Sequence, residues 1–324
     1  MLHLKIAGTG RYLPAEIIPN NFFEGRKLNT YDKTGAVVDA KEVSEKDILR
    51  VTGIGERRKS ASNECPSDMG YAAAVRAIEK SGIEVGSLAG IIFATVTEDK
   101  NFPSAACKIQ EKLGARNCFA FDIANACAGF PEALASANSR VLRKLGNYLV
   151  AASECLTKMT DYTDLNSTLF SDGAGAAVLV PTEDNLGICA EYSVSDPFGG
   201  KLDYIFRDKD KILRMPAGRA VMREATRQMI EASSVLKMDA GWDRADVYIP
   251  HQANGRIIDE IEKRVKEEGS VVYRNIEKYG NMSAATCAVA LDEAIEDGTI
   301  CDGKRVIVVS FGAGLVTSGV AIQF

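Results

Sequence analysis

Short apolar, β-rich runs punctuate the chain, separated by stretches whose apolar residues recur every three or four positions. The apolar runs predict strands over 4–7, 90–96, 148–152, 176–181, 246–250 and 305–310. The helical spacing predicts helices over 67–80, 104–113, 127–145, 220–236, 254–266 and 283–295. Strands alternating with helices argue an α/β fold whose central strands are buried.

The pattern repeats along the chain. Residues 89–96 echo 244–250, and residues 148–154 echo 305–311. Gly173-Ala174-Gly175 and the apolar run after it echo Gly312-Ala313-Gly314 and its own run. Each half is thus expected to close on a Gly-x-Gly turn feeding an apolar strand. An internally duplicated α/β chain follows, divided near Glu183 into residues 1–183 and 184–324. Two stretches break the rhythm: the polar, charged residues 19–47, and residues 195–214 with the run Arg207-Asp208-Lys209-Asp210-Lys211. Both read as excursions over a surface or a tunnel mouth.

Composition narrows the function classes. The 324 residues carry a formal charge of −5, which gives no global attraction to nucleic acid or an anionic membrane. The N-terminal run is too short and interrupted for a signal peptide, and no apolar stretch is long enough to span a bilayer, so a cytoplasmic location is expected. Eight cysteines (65, 107, 118, 127, 155, 189, 287 and 301) are widely spread with no C-x-x-C pair. They read as reduced thiols. Two histidines cannot complete a usual zinc set, so no metal is expected. Gly8-Thr9-Gly10 lacks the third glycine of a dinucleotide loop, and Gly173-Ala174-Gly175 precedes a strand where a phosphate loop would follow one. No nicotinamide or flavin is indicated.

The scarcity of histidine is informative. His3 stands in a strand without polar company; His251 stands in Ile249-Pro250-His251-Gln252-Ala253-Asn254, at the end of a predicted strand, where α/β sites gather. Cys127 ends the run from Asp122 and opens a helical pattern, with Ala128 and Gly129 permitting a tight turn. A thiol at a helix N-terminus feels the positive end of the dipole, which favours thiolate, and the free N–H groups there can hold an oxyanion. Asn281 follows Gly280 and precedes a small-residue helix. A thiol, an imidazole and an amide make a nucleophile with two polar helpers.

Asn125-Ala126-Cys127-Ala128-Gly129-Phe130, Pro250-His251-Gln252-Ala253-Asn254, Gly280-Asn281-Met282-Ser283-Ala284-Ala285, Ser171-Asp172-Gly173-Ala174-Gly175 and Phe311-Gly312-Ala313-Gly314 together resemble the β-ketoacyl-acyl carrier protein synthase III family. The similarity runs from about residue 48 to residue 324, with a strand match at the N-terminus. It implies a thiolase-like fold of five αβαβα layers, a homodimer, and no cofactor beyond coenzyme A or acyl carrier protein thioesters as substrates. It implies a two-stage reaction. Cys127 takes an acyl group from a thioester; His251 and Asn281 then donate to the thioester oxygen of malonyl-acyl carrier protein as CO2 leaves and the enolate attacks. The N–H groups of Cys127 and Ala313 would cradle the acyl oxyanion. Phe102 matches the residue that crosses the dimer interface and limits the acyl pocket. Arg223, Arg256, Lys263 and Arg264 match the basic surface that meets acyl carrier protein.

The departures cluster at the cofactor mouth. The family places a Trp and an Arg around an Arg-Thr-Gly-Ile run, with a second Arg later, to sandwich the adenine of coenzyme A. Here Asp47, Val51 and Leu165 stand near those positions, and the single tryptophan is Trp242. An acyl-CoA would need other contacts; a longer acyl group or an acyl-carrier protein donor fits this mouth as well. Three rival readings share the residues. A papain-like hydrolase has the order Cys, His, Asn, but Cys127 lacks that signature. A non-catalytic partner subunit would have lost some of the three. An acyltransferase or thioester hydrolase on the same fold would acylate Cys127 without decarboxylation.

Overall fold

In the computed structural model, which describes residues 2–324, ten strands form two five-stranded sheets, each drawn from one half of the chain. Numbering only this duplicated core, β1 (His3–Tyr12), β2 (Leu88–Ala94), β3 (Phe119–Ile123), β4 (Asn147–Cys155) and β5 (Asp172–Thr182) lie in the order β1-β5-β4-β2-β3. The strands β6 (Gly187–Ser195), β7 (Val247–Pro250), β8 (Val271–Val272), β9 (Arg305–Gly312) and β10 (Val316–Gln323) lie in the order β6-β10-β9-β7-β8. The second order is the first repeated one half later. Pair directions repeat too: the first two neighbours in each sheet are antiparallel and the last two parallel.

Helices α1 (Pro66–Ser81), α2 (Ala105–Leu113) and α3 (Gly129–Val141) belong to the first half; α4 (Gly218–Asp239), α5 (Gly255–Val265) and α6 (Ala285–Glu296) occupy the same places in the second. The outer face of the first sheet carries α1 and α2, α4 and α5 cover the second, and α3 and α6 lie between the sheets. This is the five-layer αβαβα arrangement expected from the resemblance. Among the described residues no helix is long and apolar enough to cross a membrane.

A helix between two sheets has little solvent face, so it must be largely apolar and narrow. The run from Ala285 to Ala294 is buried throughout, and four of its residues are alanines at 285, 288, 290 and 294. Opposite it, Gly175 of β5 has no room for a side chain: a Cβ there would stand 2.5 Å from the Ala288 Cβ. Gly173 and Gly175 therefore lie inside β5 and serve close packing, not the turn expected from sequence; Gly312-Ala313-Gly314 does lead into the β9–β10 turn. Gly8 and Gly10 act likewise in β1, where a Cβ would meet the Ala77 and Ala73 carbonyls of α1 at 2.5 and 2.4 Å.

Several elements escaped the sequence pattern. The edge strands β3, β6 and β8 are short or partly exposed, and β10 mixes Thr317, Ser318 and Gly319 into its run, so none gives a clean apolar signal. The helix expected from residue 127 starts at Gly129, after a short 3-10 turn over Ala126–Ala128. The charged stretch 19–47 is more than a surface excursion. It forms a hairpin of Lys27–Tyr31 with Val37–Glu42 and a helix over Glu45–Thr52, built on Ile18, Phe23, Leu28, Val43 and Ile48.

Candidate active site

Cys127, His251, Asn281 and Ala313 line one cavity of about 650 Å³. Both chain segments that broke the sequence rhythm reach it: Lys41, Val43 and Asp47 from the first, Ile205, Phe206, Arg207 and Leu213 from the second. The mouth is thus built in part from segments outside the duplicated core.

Cys127 sits in the tight turn between β3 and α3. Ala126 before it adopts φ +46°, a left-handed conformation that costs an alanine free energy and needs surrounding structure to hold it. The second half of the chain supplies that hold. Ser310 Oγ of β9 donates to the Cys127 carbonyl at 2.6 Å, and a Cβ on Gly312 would stand 2.8 Å from the Cys127 nitrogen. The thiol is partly open to the cavity but crowded by protein, and burial pushes it up to about 12. Desolvation of a thiolate thus outweighs the helix dipole, against the lowered value that the helix-start position suggested.

His251 follows β7. Its N–H donates to the Val309 carbonyl at 2.8 Å and its carbonyl accepts from Ala253 N–H at 2.9 Å, so the backbone is pinned on both sides. Gln252, fully buried, ties the turn to the strand beside it, donating to the Pro250 and Tyr273 carbonyls at 2.7 and 3.2 Å. The imidazole Nδ1 pairs with Thr286 Oγ1 at 2.6 Å, and Thr286 lies 2.9 Å from the Ser283 carbonyl. Burial pushes His251 down to about 3, so the ring is neutral across the physiological range.

Asn281 is held by exchange with the Leu169–Ser171 segment: its N–H donates to Leu169 O and its carbonyl accepts from Ser171 N–H, both at 2.9 Å. Its Oδ1 accepts from Ser283 N–H at 2.8 Å, which leaves the amide NH2 as the free end. Gly280 before it has φ +66° and ψ −163°, a region essentially restricted to glycine. Gly280→Ala is expected to lower stability by about 1–3 kcal/mol and to displace Asn281; thermal melting with separate assays of the two half-reactions would check this.

Asn281 does not orient His251, because Thr286 has that place. Thr286 and Ser283 lay within or beside the sequence motifs, yet nothing local distinguished them from helix-start residues. Ala313 is not among the residues with positive φ.

Phe102 stands apart, outside this cavity and 83% exposed. Arg256, exposed at the first turn of α5, lines the cavity mouth together with Arg207 and Arg219. Arg223, Lys263 and Arg264 are exposed on α4 and α5 but do not line it, and Lys263 pairs with Glu260 at 2.5 Å. The departures from the family pattern, Asp47, Val51 and Leu165, all line the cavity.

Residues 121–197 match the family described as 3-oxoacyl-[acyl-carrier-protein (ACP)] synthase III, and residues 238–324 match its C-terminal region. The chain is 38% identical over 323 residues to a beta-ketoacyl-[acyl-carrier-protein] synthase III of Geobacillus kaustophilus, covering 98% of each. It is 38% identical to a synthase III of Vibrio vulnificus over the whole of both chains. The solved 3-oxoacyl-[acyl-carrier-protein] synthase III of Aquifex aeolicus superposes with a TM-score of 0.88 at 34% identity, over 99% of this chain and 100% of that one. The priming beta-ketosynthase of the R1128 polyketide pathway superposes with a TM-score of 0.88 at 31% identity, over 99% and 96%. With full-length identity of this order and the same fold, the chain belongs to the 3-oxoacyl-[acyl-carrier-protein] synthase III family of thiolase-fold condensing enzymes.

Proposed function

We propose that this chain transfers an acyl group from a thioester to Cys127 and then joins it to malonyl-acyl carrier protein, with loss of CO2, to give a 3-oxoacyl product. The observation that carries this reading is the convergence of Cys127, His251 and Asn281 on one cavity, with the imidazole held by Thr286 and the amide by Ser283. Thr286 has a single hydroxyl proton. Given to Nδ1 of His251 rather than to the Ser283 carbonyl, which the Thr286 N–H also reaches at 3.2 Å, it leaves the ring hydrogen on Nε2, so that the ring and the Asn281 amide are both donors. Two neutral donors suit a developing enolate oxygen, stabilising charge that exists only during reaction. A papain-type arrangement would instead use the amide to orient the ring.

The N–H groups of Cys127 and Ala313 are assigned to the acyl oxyanion; the approach of Gly312 to the Cys127 nitrogen brings the two segments together. No cofactor is assigned beyond the thioester substrates. Residues 1–183 and 184–324 are taken as the duplicated units, since the chain changes sheet between Thr182 and Gly187. Acyl carrier protein would meet Arg256 at the mouth, with Arg223, Lys263 and Arg264 on the flanking helices. Coenzyme A thioesters remain in the donor set, without the family's adenine sandwich. The cytoplasm is the assigned location.

A homodimer gives exposed Phe102 a role, as the end wall of the acyl pocket in a second copy. Phe102→Ala is expected to shift the kcat/KM ratio of longer to shorter acyl donors by about 10-fold or more; an unchanged ratio across a donor panel would remove Phe102 from the pocket. The whole reading is tested by intact-protein mass spectrometry with acyl-CoA and acyl-carrier protein donors. A Cys127 adduct should form, then disappear on addition of malonyl-carrier protein as a 3-oxoacyl product appears. An adduct that decays without that product would mean an acyltransferase or thioesterase instead.

A further inference from the structure

Arg57, on the short strand Glu56–Lys59, carries a fully buried guanidinium. Among the described residues its hydrogen-bond partners are all neutral. A buried charge without a counter-charge is costly, and burial pushes Arg57 down to about 9, which still leaves it a cation at neutral pH. Nε and Nη2 both donate to the Thr168 carbonyl, Nε at 2.9 Å. Nη1 donates to Asn20 Oδ1 at 2.5 Å, and Asn20 Nδ2 donates in turn to the Ile54 carbonyl at 2.8 Å. The guanidinium carbon lies 5.3 Å from the centre of the Phe23 ring.

These contacts lead to the amide of the site. Thr168, Leu169 and Phe170 line the cavity. The next links are main-chain ones: Asn281 N–H donates to the Leu169 carbonyl, and the Asn281 carbonyl accepts from Ser171 N–H, both at 2.9 Å. The strand of Arg57 holds this segment at both ends. The guanidinium grips it at Thr168, and the Arg58 N–H donates to Ser171 Oγ at 2.7 Å. The stem of Arg57 meets the other side of the exchange, since a Cβ on Gly280 would stand 3.0 Å from Arg57 Cγ. One side chain therefore touches both the residue before the Leu169 carbonyl and the glycine before Asn281. None of its hydrogen bonds reaches the Cys127 turn, which Ser310 and Gly312 hold from the other half of the chain.

We propose that Arg57 is a positioning residue for condensation: by fixing Thr168–Ser171 against Gly280, it aims the Asn281 NH2 at the thioester oxygen of the malonyl donor. This deepens the condensing reading above and rests on the role given there to Asn281. An arginine suits the task for two reasons. Hydrogen bonds from a charged donor are about twice as strong as neutral ones, and the planar fork serves two acceptors at once without turning. An arginine that only knitted residues 19–47 to the core would act on both half-reactions alike. A role through Asn281 acts on one, because acylation needs the Cys127 turn and condensation needs the amide as well.

The test is a pair of half-reaction assays on the full chain: single-turnover acylation read by intact mass, and a chase of preformed acyl-enzyme with malonyl-acyl carrier protein. Arg57→Met keeps an unbranched stem and removes every donor. It should acylate at the wild-type rate, while condensation at saturating malonyl donor falls by about 10- to 100-fold. Arg57→Lys, which keeps the charge without the fork, should fall between. On an Asn281→Ala background the same Arg57→Met change should cost less than about 2-fold, since the group it positions is already gone. Three results overturn the positioning role and leave the condensing reading standing: wild-type condensation in Arg57→Met, an equal loss in both half-reactions, or an undiminished loss on the Asn281→Ala background. If the wild-type adduct yields no 3-oxoacyl product, or Asn281→Ala condenses at the wild-type rate, the reading beneath falls and this role falls with it. Should Arg57→Met fail to fold, Arg57→Lys decides: a wild-type condensation rate there overturns the role.

Discussion

Replacing Cys127 by alanine is expected to abolish the acyl-enzyme adduct and to lower condensation by on the order of 10³-fold or more. The sulfur is the only nucleophile placed in the cavity by the turn before α3, and the turn does not depend on it. Ser310 grips the Cys127 carbonyl and Gly312 abuts its nitrogen, both main-chain interactions that survive the substitution. Thermal stability should therefore change by no more than about 1 kcal/mol, which separates loss of chemistry from loss of fold. Intact mass after incubation with a donor panel, read beside a melting curve, checks both halves. Acyl transfer retained at the wild-type rate would remove Cys127 as the nucleophile.

His251→Ala and Asn281→Ala are expected to do the opposite: Cys127 still acylates, and condensation falls by about 10²–10³-fold for each. Each substitution deletes one donor aimed at the enolate oxygen while leaving the thiol and its turn in place. His251→Ala also strands the Thr286 hydroxyl and should cost about 1–3 kcal/mol of stability, since a buried polar group loses its partner. The pH dependence sharpens the distinction. His251, pushed down to about 3, stays neutral from pH 5 to 8, so the condensation half-reaction should show no inflection near the ordinary histidine value of 6.5. Chase experiments from preformed acyl-enzyme, run across pH, would read the condensation profile separately from acylation. Loss of acylation in both variants would point to a hydrolase-type triad in which the imidazole serves the thiol.

The same logic shows how far the amino-acid order could be read. The buried strands β2, β4, β7 and β9 announced themselves as apolar runs, and the paired echoes between halves became equivalent strands of two sheets. Cys127, His251 and Asn281 were legible because each sits in a short run of small or apolar residues where a reactive side chain is out of place. Edge strands were not legible, because half-exposed residues carry a diluted pattern. Gly173 and Gly175 looked like turn residues; their reason is the close approach of the Met282 side chain to the first and of Ala288 in α6 to the second, both from the other half of the chain.

Local order therefore carried the identities of the reacting groups and the elements that end at them, since strand, turn and cap preferences act over a few residues. Proton affinities and proximity came from the packed sheets. Burial, which no local pattern reports, took Cys127 up and His251 down, against what a helix start or a free imidazole would suggest. Glu154 reads in sequence as one polar residue in an apolar strand. Its partners, the Thr95 and Thr97 hydroxyls and the Val96 N–H, come from the turn after β2, which only the packed sheet brings beside it.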